Sequence, residues 1–248
     1  MRLTGKTAIV TGAASGFGAG IARKFAEEGA QVMVVDINEK GAMEMAEDLG
    51  AGSFGSAANV ADWDDVSRVV NEAREVFGGV DILVNNAGVT HMPAPMEEVS
   101  EADFDRVFDV NCKSIYLFAR ALVPHMKERG TGAILNVSST AGLSPRPNLN
   151  WYNSSKGWVN TATKAMAVEL APRGIRVNAI NPVAGETPLL ASFMGEDTPE
   201  MRAKFLSTIP LGRFSTPEDM GNAAAFLCSE EAGMITGICM EVDGGRCI

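Results

Sequence analysis

Seven short apolar runs punctuate the chain, at residues 7–10, 31–35, 53–57, 80–84, 133–137, 175–180 and 238–242. Between them stand longer stretches in which apolar residues return every three or four positions, the period of a helix. These stretches predict helices over about 18–28, 40–49, 62–77, 100–128 and 152–170, with Asp62 placed to cap the third. Alternation of strands and helices builds parallel βαβ units, so the expected fold class is α/β with a doubly wound parallel sheet. No linker, repeat or low-complexity run divides the chain, and residues 1–248 are expected to form a single domain. One region is irregular. Residues 183–214 are rich in Gly, Pro and Met, with short helical patterns at 189–194 and 201–207. Ligands of doubly wound folds bind beyond the carboxyl ends of the strands. The irregular region leaves such an end, and its apolar Leu189, Leu190, Phe193 and Met194 mark it as a lid over the site.

Composition narrows the function. A chain of 248 residues, 46% of them hydrophobic, suits one large core. The formal net charge is −10 and the pI about 4.8, with no basic block, which argues against nucleic acid or an anionic membrane surface as a partner. There is no run of about 18 apolar residues to cross a bilayer. Residues 1–6 enter the first strand directly and lack a signal-peptide pattern, so a cytoplasmic location is expected. The four cysteines, Cys112, Cys228, Cys239 and Cys247, form no Cys-x-x-Cys pair and stand beside two histidines in the whole chain. Reduced thiols are expected, and no metal site.

The first strand runs into Thr11-Gly12-Ala13-Ala14-Ser15-Gly16-Phe17-Gly18. The spacing is Gly-x-x-x-Gly-x-Gly rather than the commoner Gly-x-Gly-x-x-Gly, but the physics carries over. Glycines clear side chains from the place where backbone meets a pyrophosphate. The helix that starts there offers free N–H groups and the positive end of its dipole. Gly12, Ser15, Gly16, Phe17 and Gly18 are therefore candidate cofactor residues. Asp36 ends the second strand, eighteen residues after Gly18, where a carboxylate accepts hydrogen bonds from an adenosine ribose and repels a 2′-phosphate. Ile37, Asn38, Ala13 and Ala14 bring no cation beside it, which favours NAD over NADP. Asn59 and Val60 follow the third strand; Asn86, Ala87 and Gly88 follow the fourth. Both turns fall on the cofactor side, although Asn-rich turns also form for purely local reasons.

Tyr152 and Lys156 are four residues apart and share one face of a helix, with Ser139 thirteen residues before the tyrosine. A phenol with an ordinary pKa of about 10 is a poor base at neutral pH. A neighbouring ammonium is expected to lower that pKa, and a hydroxyl converging on the same point can hold a carbonyl or alcohol oxygen. Such pairs are common in helices, and the other motifs of the chain give this one its meaning. In order they are Thr11-Gly12-x-x-x-Gly16-x-Gly18, Asn85-Asn86-Ala87-Gly88, Asn111, Ser139, Tyr152-x-x-x-Lys156 and Asn181-Pro182. Together they resemble the short-chain dehydrogenase/reductase family, over the chain from residue 7 to Asp243-Gly244-Gly245.

The resemblance implies a Rossmann-type seven-stranded sheet, a nicotinamide cofactor and a catalytic set at Asn111, Ser139, Tyr152 and Lys156. In that set Lys156 also binds the nicotinamide ribose beside Tyr152, and Asn111 orders a water near Lys156. Pro182, Val183 and Thr187 join the cofactor contacts on the same ground. Two departures stand out: Asn59-Val60 replaces Asp-Val, and Val183 replaces a glycine after Asn181-Pro182, narrowing the space beside the nicotinamide. The expected reaction is hydride transfer between NAD(H) and a secondary alcohol or ketone, with a polar substrate such as a sugar or polyol. His91, Arg146, Asn148 and Glu186 are candidate substrate contacts, Arg146 because guanidinium pairs well with carboxylate, phosphate or sulfonate. The alternatives are a 3-oxoacyl thioester reductase and a non-catalytic NAD-binding regulator. The helix at 152–170 is apolar on more than one face, and the family's habit makes a homotetramer the expected assembly.

Overall fold

The strands are β1 (Thr7–Thr11), β2 (Gln31–Asp36), β3 (Phe54–Ala57), β4 (Ile82–Asn85), β5 (Gly132–Val137), β6 (Ile175–Pro182) and β7 (Cys239–Val242). In the computed structural model, which describes residues 1–50 and 52–248, all seven pair in parallel in the order β3-β2-β1-β4-β5-β6-β7. The winding reverses between β1 and β4, and the crevice at such a switch point is where a doubly wound sheet takes its ligand. This is the α/β doubly wound parallel sheet expected from the alternating pattern, with the seven Rossmann-type strands that the family resemblance implied.

Side chains of the strands alternate between two cores. Ala8 and Val10 of β1, Val32 and Val34 of β2, and Ile82 and Val84 of β4 pack on one face; Ile9, Met33, Val35 and Leu83 pack on the other. The first face is covered by α1 (Gly16–Glu27), α2 (Glu39–Leu49) and, late in the chain, α9 (Pro217–Cys228). The second is covered by α3 (Trp63–Phe77), α5 (Ser114–Arg129) and α6 (Asn150–Leu170). Asp62 caps α3, accepting from the Asp64 and Asp65 amides.

Two elements differ from expectation. The helix foreseen over 100–128 is three pieces: α4 (Glu101–Phe108), a π-turn at Asp109–Lys113, and α5. The π-turn swings Asn111 and Cys112 into the interior. Wide turns of this kind are rare and gather at functional sites. The second difference is α9, which the apolar periodicity does not reveal because its contact face is made of small residues. A Cβ on Gly20 of α1 would lie 2.3 Å from the Pro217 carbonyl oxygen, and one on Gly221 would lie 2.7 Å from the Gly20 oxygen, so the two helices touch backbone to backbone. The local signal was Thr216-Pro217-Glu218-Asp219. Thr216 and Asp219 form a reciprocal capping box, with Pro217 in the first turn.

Residues 183–214 leave the carboxyl end of β6 and carry two short helices, α7 (Leu190–Met194) and α8 (Pro199–Leu206). They enclose a small core of their own from Val183, Leu190, Met194, Phe205, Ile209 and Phe214. Among the described residues no helix is long and apolar enough to cross a membrane, and no group of His, Cys, Asp or Glu is arranged to hold a metal.

Candidate active site

A cavity of about 450 Å³ opens beyond the carboxyl ends of the strands, over the switch point. Its floor is the turn after β1. Gly12 and Gly16 have φ of 60° and 56°, the left-handed region where glycine is favoured. A Cβ on Gly12 would lie 2.9 Å from the Ala87 Cα. One on Gly18 would lie 2.2 Å from the Gly12 carbonyl oxygen, so Gly18 stands under the turn and lets α1 pack on it. Gly12, Ser15, Gly16 and Phe17 line the cavity, and Gly18 does not. Ser15 precedes α1 without a side-chain hydrogen bond to its amides, which leaves the first turn open to an anion.

Asp36 and Ile37 form the far wall with Asn59 and Val60. The Asp36 carboxylate accepts from the Ala14 and Asn38 amides at 3.1 and 3.0 Å, and among the described residues it has no cation partner. Asn59 accepts from the Ala61 amide at 3.0 Å, a local turn that presents the rest of its side chain outward. Asn86 also braces the glycine turn. Its Nδ2 donates to the Thr11 and Gly12 carbonyls at 2.8 and 3.1 Å, tying the turns after β1 and β4 together. It still lines the cavity with Ala87 and Gly88. On the β6 side, Pro182, Val183 and Thr187 complete the wall. A Cβ on Gly185 would strike the Phe17 ring at 2.2 Å, and one on Gly16 would lie 3.3 Å from the Thr187 Cβ, so this segment lies directly across the glycine turn. Bare glycines, open amides and one unpaired carboxylate at the far end suit a dinucleotide.

Tyr152, Lys156 and Ser139 share the opposite wall. Ser139 lies two residues after β5 and caps the turn at Thr140–Gly142, its Oγ accepting from the Ala141 amide at 3.1 Å. The two residues before it hold α6 in place: Ser138 Oγ donates to the Lys156 carbonyl at 2.9 Å, and Lys156 Nζ donates to the Val137 carbonyl at 2.9 Å. Asn111 stands behind the wall. Its Oδ1 accepts from the Val89 amide at 2.8 Å, and its Nδ2 donates to Val89 O and Ser155 Oγ at 2.9 and 3.0 Å. A Cβ on Gly88 would fall 3.3 Å from Lys156 Nζ and 3.4 Å from Asn111 Oδ1, so the glycine keeps open the space these two groups face.

The electrostatics correct one expectation. The phenol of Tyr152 is pushed up to about 12 by burial, with the Ser139 hydroxyl opposing. Burial brings Lys156 down to about 8, opposed by the Cys112 thiol, which burial itself pushes up to about 11. Lys156 therefore does not acidify the phenol in the cofactor-free protein. Its Nζ donates to the Val137 carbonyl and lies 5.8 Å from the Tyr152 ring centre, and burial is the largest influence on both groups. At neutral pH the wall presents a neutral phenol and a largely protonated, buried ammonium.

Comparison with known proteins decides the family. The family model described as enoyl-(acyl carrier protein) reductase matches residues 12–246. The chain is 49% identical to the 4-formylbenzenesulfonate dehydrogenase of Comamonas testosteroni over 250 residues, 99% of each chain. It is 40% identical to the 3-oxoacyl-[acyl-carrier-protein] reductase of Thermotoga maritima over 252 residues, the whole of both. A crystal structure of 3-ketoacyl-(acyl-carrier-protein) reductase from Brucella melitensis complexed with NADH matches with a TM-score of 0.95 and 51% identity, covering 99% of this chain and 100% of that one. The chain belongs to the short-chain dehydrogenase/reductase family.

Within this short-chain dehydrogenase/reductase the four substrate candidates part company. Arg146 lines the cavity. His91 is buried outside the cavity wall, its Nδ1 2.8 Å from the Met92 carbonyl. Asn148 is exposed with φ of 64°, a turn residue whose carbonyl accepts from the Ala94 amide at 2.9 Å. Glu186 is exposed and points to Arg202, 3.5 Å away. Sequence reasoning gave no role to Asn153, Phe205 or Leu149, which line the cavity. Nor did it foresee that Phe193 would lie edge-on to Tyr152, ring centres 5.0 Å apart. Asn153, next to Tyr152 on α6, was within reach of sequence reasoning; Phe205 was not, since nothing local ties residue 205 to residue 146.

Proposed function

We propose that the protein transfers hydride between NAD(H) and a secondary alcohol or its ketone. When bound, NAD supplies the hydride acceptor and NADH the donor. Gly12, Ser15, Gly16 and Phe17 hold the pyrophosphate, and Asp36 and Ile37 the adenosine ribose. Asn59 and Val60 serve the adenine, with Asn86, Ala87, Gly88, Pro182, Val183 and Thr187 along the rest. Tyr152 protonates the carbonyl oxygen in reduction, and as phenolate takes the alcohol proton in oxidation. Ser139 fixes the same oxygen. Lys156 has a single protein acceptor for its three N–H groups among the described residues, leaving two for the ribose and for charge stabilisation of the phenolate. Asn111 is a positioning residue, holding Val89 in the loop after β4 and the water that links Lys156 outward. The observation that carries the reading is the convergence of Tyr152, Ser139 and Lys156 on one cavity whose other end is the glycine turn and Asp36.

Unpaired Asp36 supports NAD over NADP. The segment 183–214, with its separate apolar core, serves as the lid of a single domain. Tyr116, Trp158 and Val168 leave large apolar surface exposed on α5 and α6, which supports a homotetramer built through those helices. Four free cysteines suit the cytoplasm. The polar substrate of the sequence expectation is supported by Arg146 in the cavity wall and by a relative named for a sulfonated aldehyde. A second reading, 3-oxoacyl thioester reduction, is supported by the names of the Thermotoga and Brucella relatives.

The test is an absorbance assay of sugars, polyols, hydroxy acids, ketones and a 3-oxoacyl thioester with NAD(H) and NADP(H). Turnover with a preference for NAD(H) is expected, and the best substrate chooses between the two readings. Tight NADH binding with no turnover across the panel would contradict both and favour a regulator.

A further inference from the structure

The loop between β5 and α6 brings Arg146 to the cavity wall and meets the turn after β7 through Ser144. Arg146 lines the cavity, its guanidinium 4.3 Å from the centre of the Phe205 ring and donating to Thr208 Oγ1 at 3.1 Å. Arg246 donates from Nη1 to the Oγ of Ser144, in the same loop, at 3.1 Å, and its Nε is buried with no acceptor. Among the described residues neither guanidinium has a carboxylate within ion-pair distance, whereas Arg202 pairs with Asp197 and Arg213 with Asp219. Asp243 does not serve Arg246, because its oxygens accept from the Gly245 and Cys247 amides at 2.8 Å each. Burial and the charge of Arg246 both hold the Arg146 guanidinium below its usual pKa, the mark of two cations sharing a site without an anion.

A chain of net charge −10 has carboxylates to spare, yet among the described residues none pairs with Arg146 in the cavity wall or with Arg246 behind its loop. An anion seated there relieves both the desolvation of Arg146 and the repulsion between the pair. The cavity wall to which Arg146 and Tyr152 both belong also carries the apolar Leu149, Leu189, Phe193 and Phe205, with Asn153 as a polar neighbour. We propose that Arg146 and Arg246 form an anion subsite that selects substrates bearing a carboxylate or sulfonate remote from the reacting carbon, with an apolar body between the two ends. Arg146 contacts the anion, and Arg246, fastened to the same loop, adds its charge. This rests on the oxidoreductase reading and names the polar group its substrate carries.

The probes are 4-acetylbenzoate, 4-acetylbenzenesulfonate and the neutral 4-acetylbenzamide, each assayed for kcat/KM with NADH and for binding to the NADH-loaded protein by calorimetry. The better anion is expected to exceed the amide by about 10- to 100-fold in both, the worth of a charge-assisted hydrogen-bonded pair. Arg146→Gln brings that ratio close to one, Arg246→Gln lowers it in part, and Arg146→Lys restores part of it. Arg202→Gln, outside the cavity wall, leaves the ratio alone. Equal handling of all three probes, no binding of any, or a ratio that survives both glutamine variants overturns the subsite. If an anion binds through Arg146 but is not reduced, the subsite stands for that ligand and the oxidoreductase reading suffers. If all three are reduced equally well, the oxidoreductase reading stands and the subsite falls.

Discussion

At the glycine-turn end of the cavity the contacts are made by backbone, and at the Arg146 end by side chains. Gly12, Gly16 and the first turn of α1 present amides, and Asn86 braces them through two carbonyls of the same turn. Tyr152, Lys156, Arg146, Phe193 and Phe205 reach the other end from α6, a loop and the 183–214 segment. Backbone geometry is intolerant, since a Cβ at 2.2 Å from a carbonyl oxygen has nowhere to go. A side-chain wall is replaceable one residue at a time without disturbing the sheet. One scaffold can therefore keep its cofactor end fixed while its substrate end varies, as functional loops on a rigid frame allow.

Gly18→Val strikes the intolerant end hardest. Its branched side chain would meet the Gly12 oxygen and Asn86 Nδ2, both anchored, and the expected loss is at least about 3 kcal/mol of stability together with NADH binding. A thermal melt and an NADH fluorescence titration read both; a near-normal melt would show the turn to be softer than its contacts imply.

Lys156→Met sharpens the contrast, because turnover and stability should respond in opposite senses at the side-chain end. Turnover falls by about 10²- to 10⁴-fold. The cofactor-free variant at pH 7 is expected to be more stable than the parent, by about 1–3 kcal/mol, since a buried ammonium without an ion-pair partner is removed. The sign of the pH dependence follows from Lys156 at about 8 in the folded protein against 10.5 ordinarily. Between those values the unfolded chain holds a proton that the folded chain has lost, so parental stability rises with pH over that window. Tyr152, at about 12 against 10.0, acts in the opposite sense above pH 10. Urea denaturation at pH 7.5 and pH 10 should show the rise in the parent and not in the variant.

Asp36→Asn gives the smallest change. It removes the charge that faces a 2′-phosphate and keeps one of the two acceptors for the Ala14 and Asn38 amides, and the preference for NAD over NADP is expected to drop by about 10- to 100-fold in kcat/KM. An unchanged preference would assign cofactor choice to another residue.

The same contrast governs what the sequence discloses. A backbone-built site is written in contiguous residues, so Thr11 to Gly18, Asp36 and the turn after β4 were legible, as was the pairing of Tyr152 with Lys156 on one helix. The seven strands were legible because each is a dense apolar run. The helix α9 was not, because glycine and alanine carry its contact with α1, and hydrophobic periodicity is blind to them. The π-turn at Asn111 leaves no pattern of its own in Asp109-Val110-Asn111-Cys112. His91, Asn148 and Glu186 were polar residues near the right loops, and polarity alone does not say which way a side chain turns. The pairing of Arg146 with Arg246 joins two distant stretches through Ser144 and required the fold.

The central claim is that the Tyr152 hydroxyl moves the substrate proton beside a bound nicotinamide. Tyr152→Phe preserves the ring and its contact with Phe193, 5.0 Å between centres, and deletes only the oxygen. NADH titration and steady-state assay of this one variant test the claim most directly. The account predicts NADH affinity within about threefold of the parent and kcat lower by about 1,000-fold; turnover within about tenfold of the parent would contradict it.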